Sequence, residues 1–136
     1  MRIYENNIEK IINSVDFNKI LNNLAKKYKN KKVVFYGTGR LFKEISKNYS
    51  LGEKFNIIGF SDIKFSGGDD FMGYKAFPPE KIVEEKPDAV IIFNLDYTKV
   101  ANFFHNILFT EFGKFNYEPV IKPNLIDIFK SFCSCS

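Results

Sequence analysis

Lys31-Lys32-Val33-Val34-Phe35-Tyr36-Gly37-Thr38-Gly39-Arg40-Leu41-Phe42-Lys43-Glu44-Ile45, followed by Asn56-Ile57-Ile58-Gly59-Phe60-Ser61-Asp62, decides the fold. An apolar run enters Gly-x-Gly, a helical stretch follows, and a second apolar run ends in an acid. This is the opening β–α–β of a nucleotide-binding crossover. Gly37 permits a tight turn out of the first strand. Gly39 lets a phosphate approach the backbone at the start of the helix, where unsatisfied N–H groups and the macrodipole favour an anion. Asp62 lies 25 residues after Gly37, near the usual place of a ribose-binding acid.

Working outward, residues 4–29 read as a helical extension. Asp16 is an N-cap, and Phe17, Ile20, Leu21, Leu24 and Tyr28 share one face. Ile8, Ile11, Ile12 and Val15 form a shorter amphipathic piece before it. The first strand is Val33–Tyr36, the helix after it spans about Arg40–Tyr49, and the second strand is Asn56–Phe60. Residues 61–73 read as a polar, glycine-rich loop that is mobile and would order over a ligand. Tyr74–Phe77 reads as a short edge strand, and Pro78-Pro79 starts a brief helix through Glu85. Ala89–Phe93 is a continuous apolar run, as suits a central parallel strand. Asp96 caps a helix over about Tyr97–Phe109. Pro119–Ile121 is a last short strand and Leu125–Phe132 a last helix. Strands alternating with helices give an α/β fold with a five-stranded parallel sheet and helices on both faces. Numbering these strands one to five, right-handed crossovers give the order 3-2-1-4-5. The expected organisation is an N-terminal helical extension over 1–30, a nucleotide-binding domain over 31–132 and a flexible tail over 133–136.

Four stretches carry a resemblance: Val33–Gly39, Ile58–Asp62, Met72-Gly73-Tyr74-Lys75-Ala76-Phe77, and Lys86-Pro87-Asp88-Ala89-Val90-Ile91-Ile92. Their order resembles that of small Rossmann-like domains. It looks like the N-terminal nucleotide-sugar-binding domains of bacterial aminosugar acetyltransferases, membrane-linked nucleotide-sugar dehydratases and sugar methyltransferases, and the similarity extends to CoA-binding domains. It covers about residues 31–122. The resemblance implies a nucleotide or nucleotide-sugar ligand, or NAD(P), and a role in sugar modification or surface-polysaccharide synthesis. One departure is that Phe42 replaces the third glycine of the dinucleotide fingerprint, which normally lets helix and strand pack closely. A phenyl ring there pushes the helix outward or fills the space a pyrophosphate needs, which argues against ordinary NAD binding.

The candidate ligand-binding residues are Gly37, Thr38, Gly39, Arg40, Asp62, Asn94 and Tyr97. A cation at Arg40, in the first helical turn, opposes the macrodipole, so solvent screens it or an anion sits nearby. Asp62 reads equally as a ligand to a ribose or sugar hydroxyl and as a cap for the loop after it. Asn94, Asp96, Tyr97 and Thr98 follow the fourth strand, where ligands sit in open α/β sheets. Asn94 is the candidate for a base or sugar contact, and Asp96 reads as a plain N-cap. Lys43 and the Asp69-Asp70 pair read as solvated. The single histidine, His105, reads as a surface or half-buried residue, and Cys133 and Cys135 form no metal site. There is no Gly-x-Ser-x-Gly, no Walker lysine and no cysteine–histidine couple.

At 136 residues the chain is one domain. Asn occurs 14 times and Lys supplies 18 of the 20 positive charges, a bias that reads as base composition. The net charge of +4 therefore carries little weight for a nucleic-acid partner, and the lysines alternate with acids. No signal-peptide pattern and no apolar run of about 20 residues is present, so a cytoplasmic protein without membrane insertion is expected. Three functions remain open. The first is a nucleotide-binding module whose catalytic partner lies on another domain or chain. The second is a small NAD-assisted enzyme acting on a sugar nucleotide, which needs proton transfer from Asp62, Asp96 or Tyr97. The third is a degenerate domain serving in assembly. The apolar stripe of residues 17–28 must be buried, and a homodimer contact is the favoured destination, with packing on its own chain as the alternative.

Overall fold

The computed structural model describes Lys10, Ile12 and residues 16–122. The expected helix at Leu125–Phe132 and the tail lie outside these residues. The elements are α1 (Phe17–Lys27), β1 (Lys32–Tyr36), α2 (Arg40–Asn48), α3 (Leu51–Lys54), β2 (Asn56–Ser61), β3 (Asp69–Phe71), β4 (Tyr74–Phe77), β5 (Ala89–Ile92), α4 (Tyr97–Phe103), α5 (Phe109–Glu111) and β6 (Tyr117–Pro119). Two 3₁₀ turns, Pro79–Lys81 and Val83–Glu85, stand where a brief helix was expected. Between α4 and α5 the helix widens into a π-helical stretch, Phe104–Leu108. The Thr110 hydroxyl donates to the Asn106 and Ile107 carbonyls there.

The sheet has six strands in the order β3-β4-β2-β1-β5-β6. All neighbours are parallel except β3 and β4. The five expected strands keep the order 3-2-1-4-5, as β4-β2-β1-β5-β6, but the expectation of a five-stranded, fully parallel sheet is corrected. The added strand, β3, lies within the segment read as a loop and covers the edge of β4, so Tyr74–Phe77 is not an edge. Met72 and Gly73, with φ of 53° and 83°, turn the chain tightly between β3 and β4. Tight hairpin turns demand this conformation because it matches the strand twist. Asp70 pairs with Lys75 and Phe71 with Tyr74 across the hairpin. β6 also begins earlier than expected, because Tyr117–Pro119 are the residues that reach Val90–Ile92 of β5.

Alternation along β1 divides the core. Val33 and Phe35 face a layer built by Phe17, Leu21 and Leu24 of α1, by Leu41, Phe42 and Ile45 of α2, and by Leu51 of α3. Val34 and Tyr36 face Val100, Phe104 and Leu108 of the other helical layer. Helices thus cover both faces. The Asp16 side chain accepts from the Lys19 N–H at 3.2 Å and starts α1 as expected. The stripe of α1 is buried within its own chain, so the burial argument for a dimer contact is met intramolecularly. Glu118 of β6 fastens the end of α1: it accepts from the Tyr28 hydroxyl and pairs with Lys27 Nζ at 2.8 Å.

Phe42 neither pushes α2 away nor stays in the cleft. It is buried against Phe35, Phe60, Phe71 and Phe93, with ring centroids 5.2–6.4 Å apart. The space a small residue would leave between helix and sheet is filled by edge-to-face aromatic packing.

Candidate functional site

From β1 the chain runs outward through β2 and β4 on one side, then returns to β5 on the other. The direction of winding therefore reverses between β1 and β5. A crevice opens at the carboxyl ends of such a strand pair, because the two connections leave toward opposite faces. Here it is a cleft of about 370 Å³, bordered by Gly37, Gly39, Arg40, Asp62, Asn94 and Asp96. Leu41, Phe93 and Leu95 give it an apolar wall.

Gly37 makes the turn out of β1. Its φ is +100°, and a Cβ there would lie 2.7 Å from the Phe93 carbonyl oxygen. Only glycine combines that conformation with so close a backbone neighbour. The turn is anchored on both sides: Gly37 N–H donates to the Ser61 carbonyl at 2.9 Å, and Phe93 N–H to the Tyr36 carbonyl at 2.8 Å. Gly39 is the N-cap of α2, with no side-chain cap and no acid in the first turn. A Cβ on Gly39 would meet nothing within 4 Å, so its surroundings are open. The exposed Arg40 opens α2 beside it.

Asp62 is half-buried at the end of β2. Its Oδ2 accepts from both the Thr38 N–H and the Thr38 hydroxyl, each at 2.9 Å, and Oδ1 accepts from the Lys64 N–H at 3.3 Å. The acid therefore caps the following segment and clasps the glycine turn. Thr38 is fully buried beneath that clasp and does not line the cleft. On the far wall, Asn94 Oδ1 accepts from the Asp96 N–H at 2.8 Å, and Asp96 Oδ1 accepts from the Lys99 N–H at 3.3 Å. Asp96 is thus the N-cap expected, and it borders the cleft as well.

Of the residues singled out from sequence, Gly37, Gly39, Arg40, Asp62 and Asn94 come together at the cleft. Tyr97 does not. Its ring lies 6.2 Å from Tyr117 and packs with the opposite helical layer. Its hydroxyl is pushed up from the ordinary tyrosine value by burial first and then by Tyr117. The apolar wall of Phe93 and Leu95 was missed in sequence, where Phe93 read as part of a buried strand and Leu95 drew no reading. Its signal was the apolar run continuing past the last paired residue of β5.

Beside the turn, Tyr36 ends β1 on the other face. Burial, and then the negative charge of Asp62, pushes its hydroxyl up to about 12. Neighbouring Ser61 is fully buried and its Oγ has no hydrogen-bond partner. His105 is exposed and shares a 2.5 Å hydrogen bond with the Tyr117 hydroxyl, remote from the cleft. Among the described residues no group of three His, Cys, Asp or Glu side chains is placed to hold a metal ion, and no helix is long and apolar enough to cross a membrane.

Compared with known proteins, the chain matches no family model, and no curated protein is significantly similar to it.

Proposed function

We propose that this chain is a nucleotide- or nucleotide-sugar-binding module with a Rossmann-like site, acting in sugar modification or surface-polysaccharide chemistry beside a catalytic partner domain or chain. The observation that carries the reading is the N-terminus of α2. It has no side-chain cap, it begins at Gly39-Arg40, and it opens onto a cleft at the point where the sheet reverses its winding. Helix amides and the macrodipole favour an anion there, and Arg40 borders the same cleft. The opposite wall offers Asn94 for a polar ligand body and Phe93 and Leu95 for an apolar one. A volume of about 370 Å³ lies within the usual range of small-molecule sites.

Binding is favoured over catalysis because the available acids are engaged. Asp62 accepts three hydrogen bonds from the chain, Asp96 caps α4, and Tyr97 lies outside the cleft. A proton-transfer role would need one of them to face a substrate with its oxygen available.

The test is a thermal-shift panel of UDP-, GDP-, CDP- and dTDP-sugars, NAD(P) and CoA. A ligand at about 100 times its dissociation constant adds roughly 2.7 kcal/mol of stability. Arg40→Ala should weaken the phosphate-bearing hit by about 1.5–3 kcal/mol, the range for hydrogen bonds to charged groups, with stability nearly unchanged. A panel in which nothing raises the melting temperature rejects the reading, and unchanged affinity in Arg40→Ala removes that residue from the site.

A further inference from the structure

The clasp between Asp62 and Thr38 has the wrong polarity for a ready phosphate site. A phosphate at a glycine turn is held by the turn's own N–H groups. Here the first two are already satisfied within the chain: Gly37 N–H by the Ser61 carbonyl and Thr38 N–H by the Asp62 carboxylate. The second bond is charge-assisted and doubled by the Thr38 hydroxyl, on a residue with no solvent exposure. Hydrogen bonds to an ionised acceptor are about twice as strong as neutral ones. The same carboxylate borders the cleft, so it also repels an anion arriving there.

We infer that Asp62 is an internal competitor for the glycine turn: a ligand phosphate reaches the Thr38 amide only by displacing the Asp62 carboxylate. This rests on the proposed binding at this cleft and gives Asp62 a role opposite in sign to that of a ribose-binding acid. A ribose ligand would lose affinity when its carboxylate is neutralised. A competitor leaves the site more receptive. Displacement also moves more than one side chain. Asp62 Oδ1 holds the Lys64 N–H, and Asp62 N–H donates to the Phe77 carbonyl of β4 at 3.4 Å, so releasing the carboxylate loosens the start of the segment that leads to β3. Occupancy of the turn is thereby coupled to the conformation of residues 62–68.

The test is an NMR titration of the ¹⁵N-labelled full chain with inorganic pyrophosphate, which carries no base or sugar to find other contacts. Wild type, Asp62→Asn and Thr38→Val are compared. Asp62→Asn keeps an acceptor oxygen and removes the charge. It should bind pyrophosphate at least tenfold more tightly than wild type, with the Thr38 amide among the resonances that shift. Thr38→Val removes the hydroxyl arm and leaves the carboxylate. It should bind more tightly than wild type by a smaller factor, and it carries the test alone if Asp62→Asn does not fold. Equal or weaker pyrophosphate binding in both variants overturns the competitor role. If nucleotides still stabilise wild type in that case, the binding reading stands without it. If neither pyrophosphate nor any nucleotide binds any of the three proteins, both fall.

Discussion

Gly37 and Gly39 stand two residues apart in the same turn, yet alanine should affect them in opposite ways. At Gly37 the φ of +100° places any Cβ in the left-handed region. That costs about 1–2 kcal/mol. The new Cβ would also lie 2.7 Å from the Phe93 carbonyl oxygen. This neighbour is backbone of the chain leaving β5, so it cannot swing aside as a side chain would. Overpacking of that kind costs about 1–3 kcal/mol. Together Gly37→Ala should lose about 2–5 kcal/mol, a large part of the roughly 5–15 kcal/mol that holds a domain together. For a chain of this size the melting temperature should fall by roughly 8–20 °C. At Gly39 the φ is −87° and nothing lies within 4 Å of an added Cβ. The exchange there touches only the helix N-cap, where glycine holds a modest advantage over alanine, so Gly39→Ala should cost under about 1 kcal/mol. Its methyl group would stand where the cleft opens, and nucleotide-induced stabilisation should shrink while the fold persists. Urea unfolding followed by far-ultraviolet circular dichroism, with equal slopes in both variants, measures the stability difference. The same proteins in the nucleotide panel measure the binding difference. A Gly37→Ala protein within about 0.5 kcal/mol of wild type would refute the steric argument, that margin being what unremarkable surface changes produce. Equal destabilisation by the two variants would refute the distinction between a turn glycine and a cleft glycine.

Phe42→Ala should cost about 3–5 kcal/mol, the usual range for a buried phenylalanine, because it opens a void among Phe35, Phe60, Phe71 and Phe93; a loss under about 1 kcal/mol by chemical denaturation would mean that the ring is not packed there. Tyr36 holds its proton to about 12 in the folded chain against about 10 when unfolded, so the unfolded chain ionises first and stability falls as pH rises from 10 to 12. The two-unit difference is worth roughly 3 kcal/mol, and Tyr36→Phe should lose correspondingly less stability than wild type across that interval. Parallel pH profiles for the two proteins would show that Tyr36 ionises equally easily in both states.

Much of the architecture was legible because it is written in local pattern. The apolar run at Val33–Tyr36 broken by Gly37, the continuous run at Ala89–Phe93, and the stripe at Phe17, Leu21 and Leu24 each report burial directly through their periodicity. Asp16 and Asp96 announce helix starts because a carboxylate there bonds an amide three residues on, at Lys19 and Lys99. The gathering of Gly37, Gly39, Arg40, Asp62 and Asn94 at one cleft followed from placing strand ends side by side, a consequence of chain winding.

What tertiary structure alone decided concerns partners far apart along the chain. Asp69-Asp70-Phe71 has little strand propensity; it becomes β3 because Met72-Gly73 folds it back onto β4 and because Phe71 finds Phe42 and Phe60. Phe42 reads locally as an intrusion into a phosphate site, and only the facing rings turn it into core. Tyr97 follows the right strand but stands on the side of its helix that faces Tyr117. The partner of Asp62 was equally hidden. The sequence names an acid at the end of a strand, but whether its oxygens face a ligand or the Thr38 amide depends on distances of a few ångströms between two loops. Periodicity determines which side of an element is buried; the packing of one element on another determines what each polar atom meets, and here that packing sets the Asp62 carboxylate against the Thr38 amide and hydroxyl of the turn beside it.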